Sequence, residues 1–342
     1  MHARRTLRGP AADSRARGGS GYAGPVSDAG SWTGEMSGSG SFVRQRSGLR
    51  NWLGSPEFPA APGRYHLFVS LACPWAHRAI IVRHLKGLQR VIGMSITDPV
   101  RDGQGWALRK VPGATGDLSG AGLSFVAEAY EATEPGYEAR VTVPVLWDIE
   151  AGRIVNNESA DIIVMLNEAF DEWAEHPELD LYPTALRPEI DELAARIYER
   201  VNDGVYRSGF ATSQAAYEEA VRPLFDTLDE LEERLEAQRF LMGAQQTLAD
   251  WRLFTTLVRF DAVYHGHFKC NLRRIVDYPN LYRYLRDLYA TDGVAATVDM
   301  DHIKRHYYLT HRSINPSGIV PVGPAQDLAA PNGRAERFDV AV

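Results

Sequence analysis

Apolar positions along this chain follow two periods, and the switch between them divides the molecule. RYHLFVSLAC (Arg64 to Cys73) is a short, nearly continuous apolar and aromatic run, the mark of a buried strand. PWAHRAIIVRHLKGL follows at helical spacing, with Pro74 suited to the first helical position and Gly87 closing the helix. VIGMSI (Val91 to Ile96) is a second strand, so the order strand–helix–strand implies a parallel pair with a crossover. Residues 98–139 read as glycine-rich loop. VTVPVLWD and RIVNN, parted by a turn at Ala151-Gly152, predict a hairpin, and NESADIIVMLNEAF predicts a helix starting near Asn157 or Glu158. From about Pro188 to Tyr308 the apolar period is helical throughout, with Thr247 and Asp250 forming a T-x-x-D capping signature. The pattern therefore predicts a small α/β domain followed by an all-helical domain.

Composition changes the picture at the two ends. The first 48 residues hold 10 Gly and 8 Ser with almost no apolar periodicity, the composition of a disordered extension. Arg4-Arg5 is not followed by an apolar stretch, which argues against an export signal. The expected division is 1–48 extension, 49–175 α/β domain, 176–312 helical domain and 313–342 a Pro/Gly-rich tail that wraps the surface. A formal charge of −7 gives no electrostatic case for nucleic acid or an anionic membrane. No apolar run reaches bilayer length, and two cysteines cannot staple a secreted fold, so a soluble, cytoplasmic protein is expected.

Cys73 is the sharpest chemical feature. It falls at the junction of a predicted strand and a predicted helix, where the helix N-terminus stabilises a thiolate nucleophile. Ala76 stands where a C-x-x-C site would have its resolving cysteine, so the chemistry is monothiol. Pro144 interrupts an apolar strand, which places it at a strand start or edge and suits a cis Val143–Pro144 bond. The Val143 backbone would then be free to pair with an extended peptide. Glu158-Ser159 at a helix start offers a hydroxyl and amides to a carboxylate, and a carboxylate to an ammonium, the two charges of an amino-acid headgroup. His265, His267 and Cys270, or His302 and His306, lack a complete ligand set by spacing, so no metal is expected and Cys270 reads as a packed thiol.

CPWAHR (Cys73 to Arg78), Gly105-Trp106, RVTVPVLWD (Arg140 to Asp148), NNES, NDGVYRSGFAT, ADWRLFTTLVRFD, HFKCNLRRI, DHIKRHYY and INPSGIVPVGP run in order through the chain. Together they resemble the glutathionyl-hydroquinone reductases, the xi class of glutathione transferases. The resemblance implies a thioredoxin-like domain followed by an all-helical glutathione-transferase domain, with glutathione as cosubstrate and a homodimeric assembly. It implies Cys73 as nucleophile and Trp106, Arg140, Val143, Glu158 and Ser159 as glutathione-holding residues. Tyr206, Tyr264 and Tyr307 would line the pocket for quinone-derived aromatic conjugates. Ala262 and His265 depart from the family pattern, as do the segments after Trp106 and around 117–139. Two other activities use the same thiol: an omega-like thioltransferase or dehydroascorbate reductase, which needs no tyrosine set, and a non-catalytic binding protein.

Overall fold

The computed structural model describes residues 36–338. Its first domain is built on a four-stranded sheet in the order β2-β1-β3-β4. Strand β1 (Tyr65–Val69) is buried along its whole length and pairs in parallel with β2 (Gly93–Ile96), through helix α1 (Pro74–Leu85). The hairpin β3 (Val145–Asp148) and β4 (Arg153–Asn156) adds antiparallel to β1. Helix α3 (Ser159–Glu168) packs on α1, which also packs on the helical domain through α7 (Leu248–Arg259). Covered on both sides, α1 needs no polar stripe, and His77 and Arg78 are buried along with its apolar residues. Residues 98–139, expected as loop alone, contain helix α2 (Val126–Thr133). Only eight residues long and flanked by glycines, it holds together by burying Val126, Ala129 and Tyr130 on one face.

The second domain is helical, as expected. It comprises α4 (Arg187–Ile197), α5 (Gly204–Phe210), α6 (Gln214–Ala237), α7, α8 (Pro279–Tyr289) and α9 (Met300–Thr310), with a short α10 (Arg334–Phe338) after it. The Thr247–Asp250 capping box forms, and Asp250 also accepts from Leu241 N and Tyr284 Oη at 2.9 and 2.8 Å. Two wide π-helical turns, Tyr198–Asn202 after α4 and Phe260–Tyr264 after α7, interrupt the helical domain. The segment beyond Ile314 follows the helical surface. There Arg334 is buried and donates to the carbonyls of Leu235, Gln238 and Arg239.

The expectation of an extension ending at residue 48 needs correction. Residues 1–35 lie outside the described residues, but 36–48 are packed. Phe42 is buried against Phe210, ring centroids 5.4 Å apart, and Arg44 meets Asp203 at 2.5 Å. Farther on, Ser47 Oγ donates to Asn157 O at 3.2 Å, and Leu49 and Asn157 exchange backbone and side-chain bonds. The segment thus runs from the helical domain to the end of β4. Composition averaged over 48 residues hid two anchors, one aromatic and one cationic. Among the described residues no helix is long and apolar enough to cross a membrane.

Candidate active site

Cys73 occupies the N-cap of α1, with its carbonyl already accepting from His77 N at 3.0 Å. The loop before it is fixed from the other domain. Arg259, on α7 and fully buried, donates through Nη2 to Leu71 O at 2.8 Å and through Nε to Ala72 O at 2.9 Å. The Cys73 Sγ–H donates to the carbonyl of Val143 at 3.3 Å, and the Val143–Pro144 bond is cis as expected. Burial pushes the thiol pKa up, while the amides of Ala76 and Trp75 and the cations Arg259 and Arg44 pull it down. Burial is the larger effect. The stabilised thiolate expected from the helix N-terminus alone is therefore corrected: those amides act as foreseen, but against a desolvation the sequence did not reveal.

Around the sulfur the cleft divides in two. One compartment is polar and is lined by four of the five residues that the resemblance implies for glutathione: Arg140, Val143, Glu158 and Ser159. Glu158 is the N-cap of α3, accepting from Ala160 N at 3.0 Å, and Ser159 Oγ lies 3.3 Å from Arg78 Nη1. Arg78 is anchored in turn by Asn202 of the helical domain at 2.8 Å. The other compartment is aromatic and is lined by Cys73, Trp106, Tyr206 and Tyr307. Trp106 stacks on His306, ring centroids 5.1 Å apart, and so stands on the aromatic side, away from Glu158 and Ser159. Arg44, Trp75, Arg140, Thr142 and Val143 border both compartments.

The three predicted tyrosines do meet, although not as three walls. Tyr206 Oη is 2.6 Å from Tyr307 Oη, which is 3.0 Å from Tyr264 Oη. Tyr264 is fully buried and does not line the compartment. Its hydroxyl meets those of Tyr307 and Tyr206, and within this cluster each hydroxyl can donate or accept. Burial pushes all three phenols up in pKa, so they act as neutral donors.

Glutathione S-transferase family models match this geometry, the N-terminal domain over residues 72–169 and the C-terminal domain over 214–287. The chain is 52% identical over 297 residues to the glutathionyl-hydroquinone reductase PcpF of Sphingobium chlorophenolicum, covering 87% of this chain and 94% of that one. It is 50% identical over 317 residues to the reductase YqjG of Escherichia coli, covering 90% and 96%. The glutathione-bound structure of YqjG superposes with a TM-score of 0.82 over 85% of this chain and 97% of that one. The glutathione transferase Xi of Phanerochaete chrysosporium gives 0.83 at 48% identity, over 86% and 96%. The chain belongs to the xi-class glutathione transferases.

In this xi-class transferase, sequence reasoning missed four residues that shape the site. Arg44 places its guanidinium 5.0 Å from the Trp75 ring and 4.7 Å from the Tyr206 ring, and it was hidden by the glycine- and serine-rich composition of the first 48 residues. Burial works against its charge, and Asp203 more than offsets that. Trp75 sits inside the quoted CPWAHR run but received no role. Arg259 reads as an ordinary helix residue, and the sequence weighs His306 only as a metal ligand beside His302. Among the described residues no group of three His, Cys, Asp or Glu side chains is placed to hold a metal.

Proposed function

We propose that the chain reduces glutathionyl-hydroquinones to hydroquinones at the expense of glutathione, through a mixed disulfide on Cys73. One observation carries the reading: Cys73 lines a compartment walled by hydrogen-bonding phenols and bonds to Val143, which borders a peptide-and-headgroup compartment as well. Relatives at 52% and 50% identity that bear the name glutathionyl-hydroquinone reductase support it.

In this reading the glutathionyl part lies along Val143, with its γ-glutamyl end at Glu158 and Ser159 and its aromatic ring beside Tyr206 and Tyr307. Cys73 attacks the glutathione sulfur. A sulfur–sulfur bond forms, the sulfur–carbon bond breaks, and its electron pair leaves with the ring, which takes up the proton given by the thiol. The products are the Cys73–glutathione disulfide and the free hydroquinone. The leaving carbon is a poor anion, and a phenol donor on the adjacent ring oxygen spreads its charge. A second glutathione then attacks the Cys73 disulfide, restoring the thiol and giving oxidised glutathione. The kinetics should be ping-pong.

Cys73→Ser is expected to lose at least about 1,000-fold in turnover of glutathionyl-hydroquinone, because serine cannot form the disulfide. Mass spectrometry of the wild type after one half-reaction should find glutathione on Cys73. Full activity in the serine variant, or no such adduct, would sink the mechanism. A second reading rests on the fission-yeast relative, 47% identical and named glutathione S-transferase omega-like 2. Disulfide substrates would need Cys73 and the polar compartment alone. Assaying a glutathione mixed disulfide beside the hydroquinone conjugate separates the two readings.

A further inference from the structure

Charge is the property of the aromatic compartment that the phenols leave unexplained. Arg44, Arg101 and Arg140 line it, and among the described residues no aspartate or glutamate does. The polar compartment differs, because Glu158 lies among its arginines. Arg44 and Arg140 border both compartments, and Arg44 has Asp203 as its counter-charge. Arg101 borders the aromatic compartment and not the polar one.

The position of Arg101 is fixed from α9. The loop that carries it is tied to that helix at two points one turn apart: His306 Nδ1 donates to Pro99 O at 2.8 Å, and Arg101 N donates to Thr310 Oγ1 at 3.4 Å. The Arg101 guanidinium lies 5.1 Å from the Trp106 ring, which stacks on His306 at an interplanar angle of 16°. Tyr307 follows His306 on α9, so the cation stands along the wall that carries one of the two lining phenols. The imidazoles of that wall bring no negative charge and stay neutral. Burial, then the charge of Arg101, pushes His306 down to about 3, and burial with the neighbouring histidines, Arg101 and Arg140 holds His311 well below 6.5. A plain hydroquinone, with phenolic pKa values of ~10, is uncharged at neutral pH and leaves such a field unused. The carboxylates of glutathione meet Arg46, Arg50, Arg140 and Ser159 on the polar side.

We propose that Arg101 is a specificity-determining residue that holds a carboxylate on the hydroquinone ring, so that the preferred substrates are glutathionyl conjugates of carboxylated hydroquinones. This rests on the function proposed above. A guanidinium fork meets a carboxylate with two parallel hydrogen bonds, and in a cleft screened from water such a pair counts for more than at an open surface. A neutral group of the same shape takes up one of those bonds at most and none of the charge.

The test compares kcat/KM, at low ionic strength, for a glutathionyl-hydroquinone bearing a ring carboxylate and for the same conjugate bearing a carboxamide. The wild type should prefer the carboxylate by at least about tenfold. Arg101→Gln keeps a donor but not the charge, and its preference should fall to about threefold or less. Arg101→Lys, with the charge but not the fork, should recover part of it. If Arg101 only packs on Trp106, or binds a carboxylate of glutathione, Arg101→Gln lowers both substrates together; an unchanged ratio therefore overturns the inference. So does a wild-type ratio near one, which needs no variant to fold. The unsubstituted conjugate, assayed alongside, keeps the two readings apart. Failure of the wild type to turn over any of the three conjugates removes the proposed function and the inference with it, whereas turnover without discrimination removes the inference alone.

Discussion

The two compartments share Val143, Trp75 and Arg44 but are made of opposite materials. On the glutathione side the groups are backbone, hydroxyl, carboxylate and the guanidiniums of Arg46, Arg50 and Arg140, supplied mostly by segments before β1 and by strand and helix ends of the first domain, with Glu158 itself capping α3. On the ring side they are phenols and imidazoles from α5, α9 and His311 just after it, all buried, with Arg101 and Arg140 beside them. A peptide carries its own charges and needs fixed partners near water. An aromatic diol offers only two hydroxyls, and recognising those takes donors and acceptors kept from water, where each bond counts for more. The cost of the second design is a wall of buried titratable groups.

That cost is visible on acidification, where the largest effect is expected. Burial pushes His267 and His302 down to about 4 and His306 to about 3, from 6.5. Above 6.5 the rings are neutral folded or unfolded, and they cost nothing. Between 6.5 and 4 the unfolded chain takes up protons that the folded chain refuses, so stability falls as pH falls, by up to about 3 kcal/mol per histidine. Urea unfolding should give a flat stability from pH 8 to 7 and a steep loss from 6.5 to 4. His302→Asn, able to keep a donor for Gly113 O, should flatten that slope by one proton. A flat profile throughout would mean that the ring side is no drier than the glutathione side.

Kinetics should separate the sides next. Tyr206→Phe removes one of the two phenol hydroxyls that line the compartment, and should lower kcat for the hydroquinone conjugate about 10–100-fold with little change in KM. Glu158→Gln should do the reverse, raising KM for glutathione about tenfold and sparing kcat. If both variants moved KM alone, the phenols would be a binding wall and nothing more.

The glutathione side was the readable half. Cys73, Pro144 and Glu158 each announce themselves through their immediate neighbours: a strand end before a helical proline, a proline inside an apolar run, an acidic residue at a helix start. The ring side has no such local grammar. Tyr206, Tyr264 and Tyr307 look like core residues one at a time, and only the resemblance singled them out; their meeting depends on the π-turn that carries Tyr264. Arg44 and Asp203 are 159 positions apart, and Arg259 is 187 from the Ala72 carbonyl it holds. Contacts of that span leave no period in the sequence. Desolvation of the Cys73 thiol belongs to the same class, since it is set by whatever packs over the sulfur.

Arg259 offers the finest test, because it touches the line between the two halves from behind. Its guanidinium donates to two carbonyls of the loop before Cys73, and it is one of the cations that lower the thiol pKa against burial. Position and charge are separable. Arg259→Lys keeps the charge but not the fork, and Arg259→Gln keeps a donor but not the charge. If charge governs the sulfur, iodoacetamide should alkylate Cys73 in the glutamine variant severalfold more slowly at neutral pH, under about 1.4 kcal/mol of barrier. The pH at which its rate rises should shift upward, and the lysine variant should stay near the wild type. Equal slowing in both would instead assign Arg259 to holding the Leu71–Ala72 carbonyls. The helical domain would then act on the thiol through the shape of its loop, and the reactivity of Cys73 would depend on the first domain's helix N-terminus and its burial.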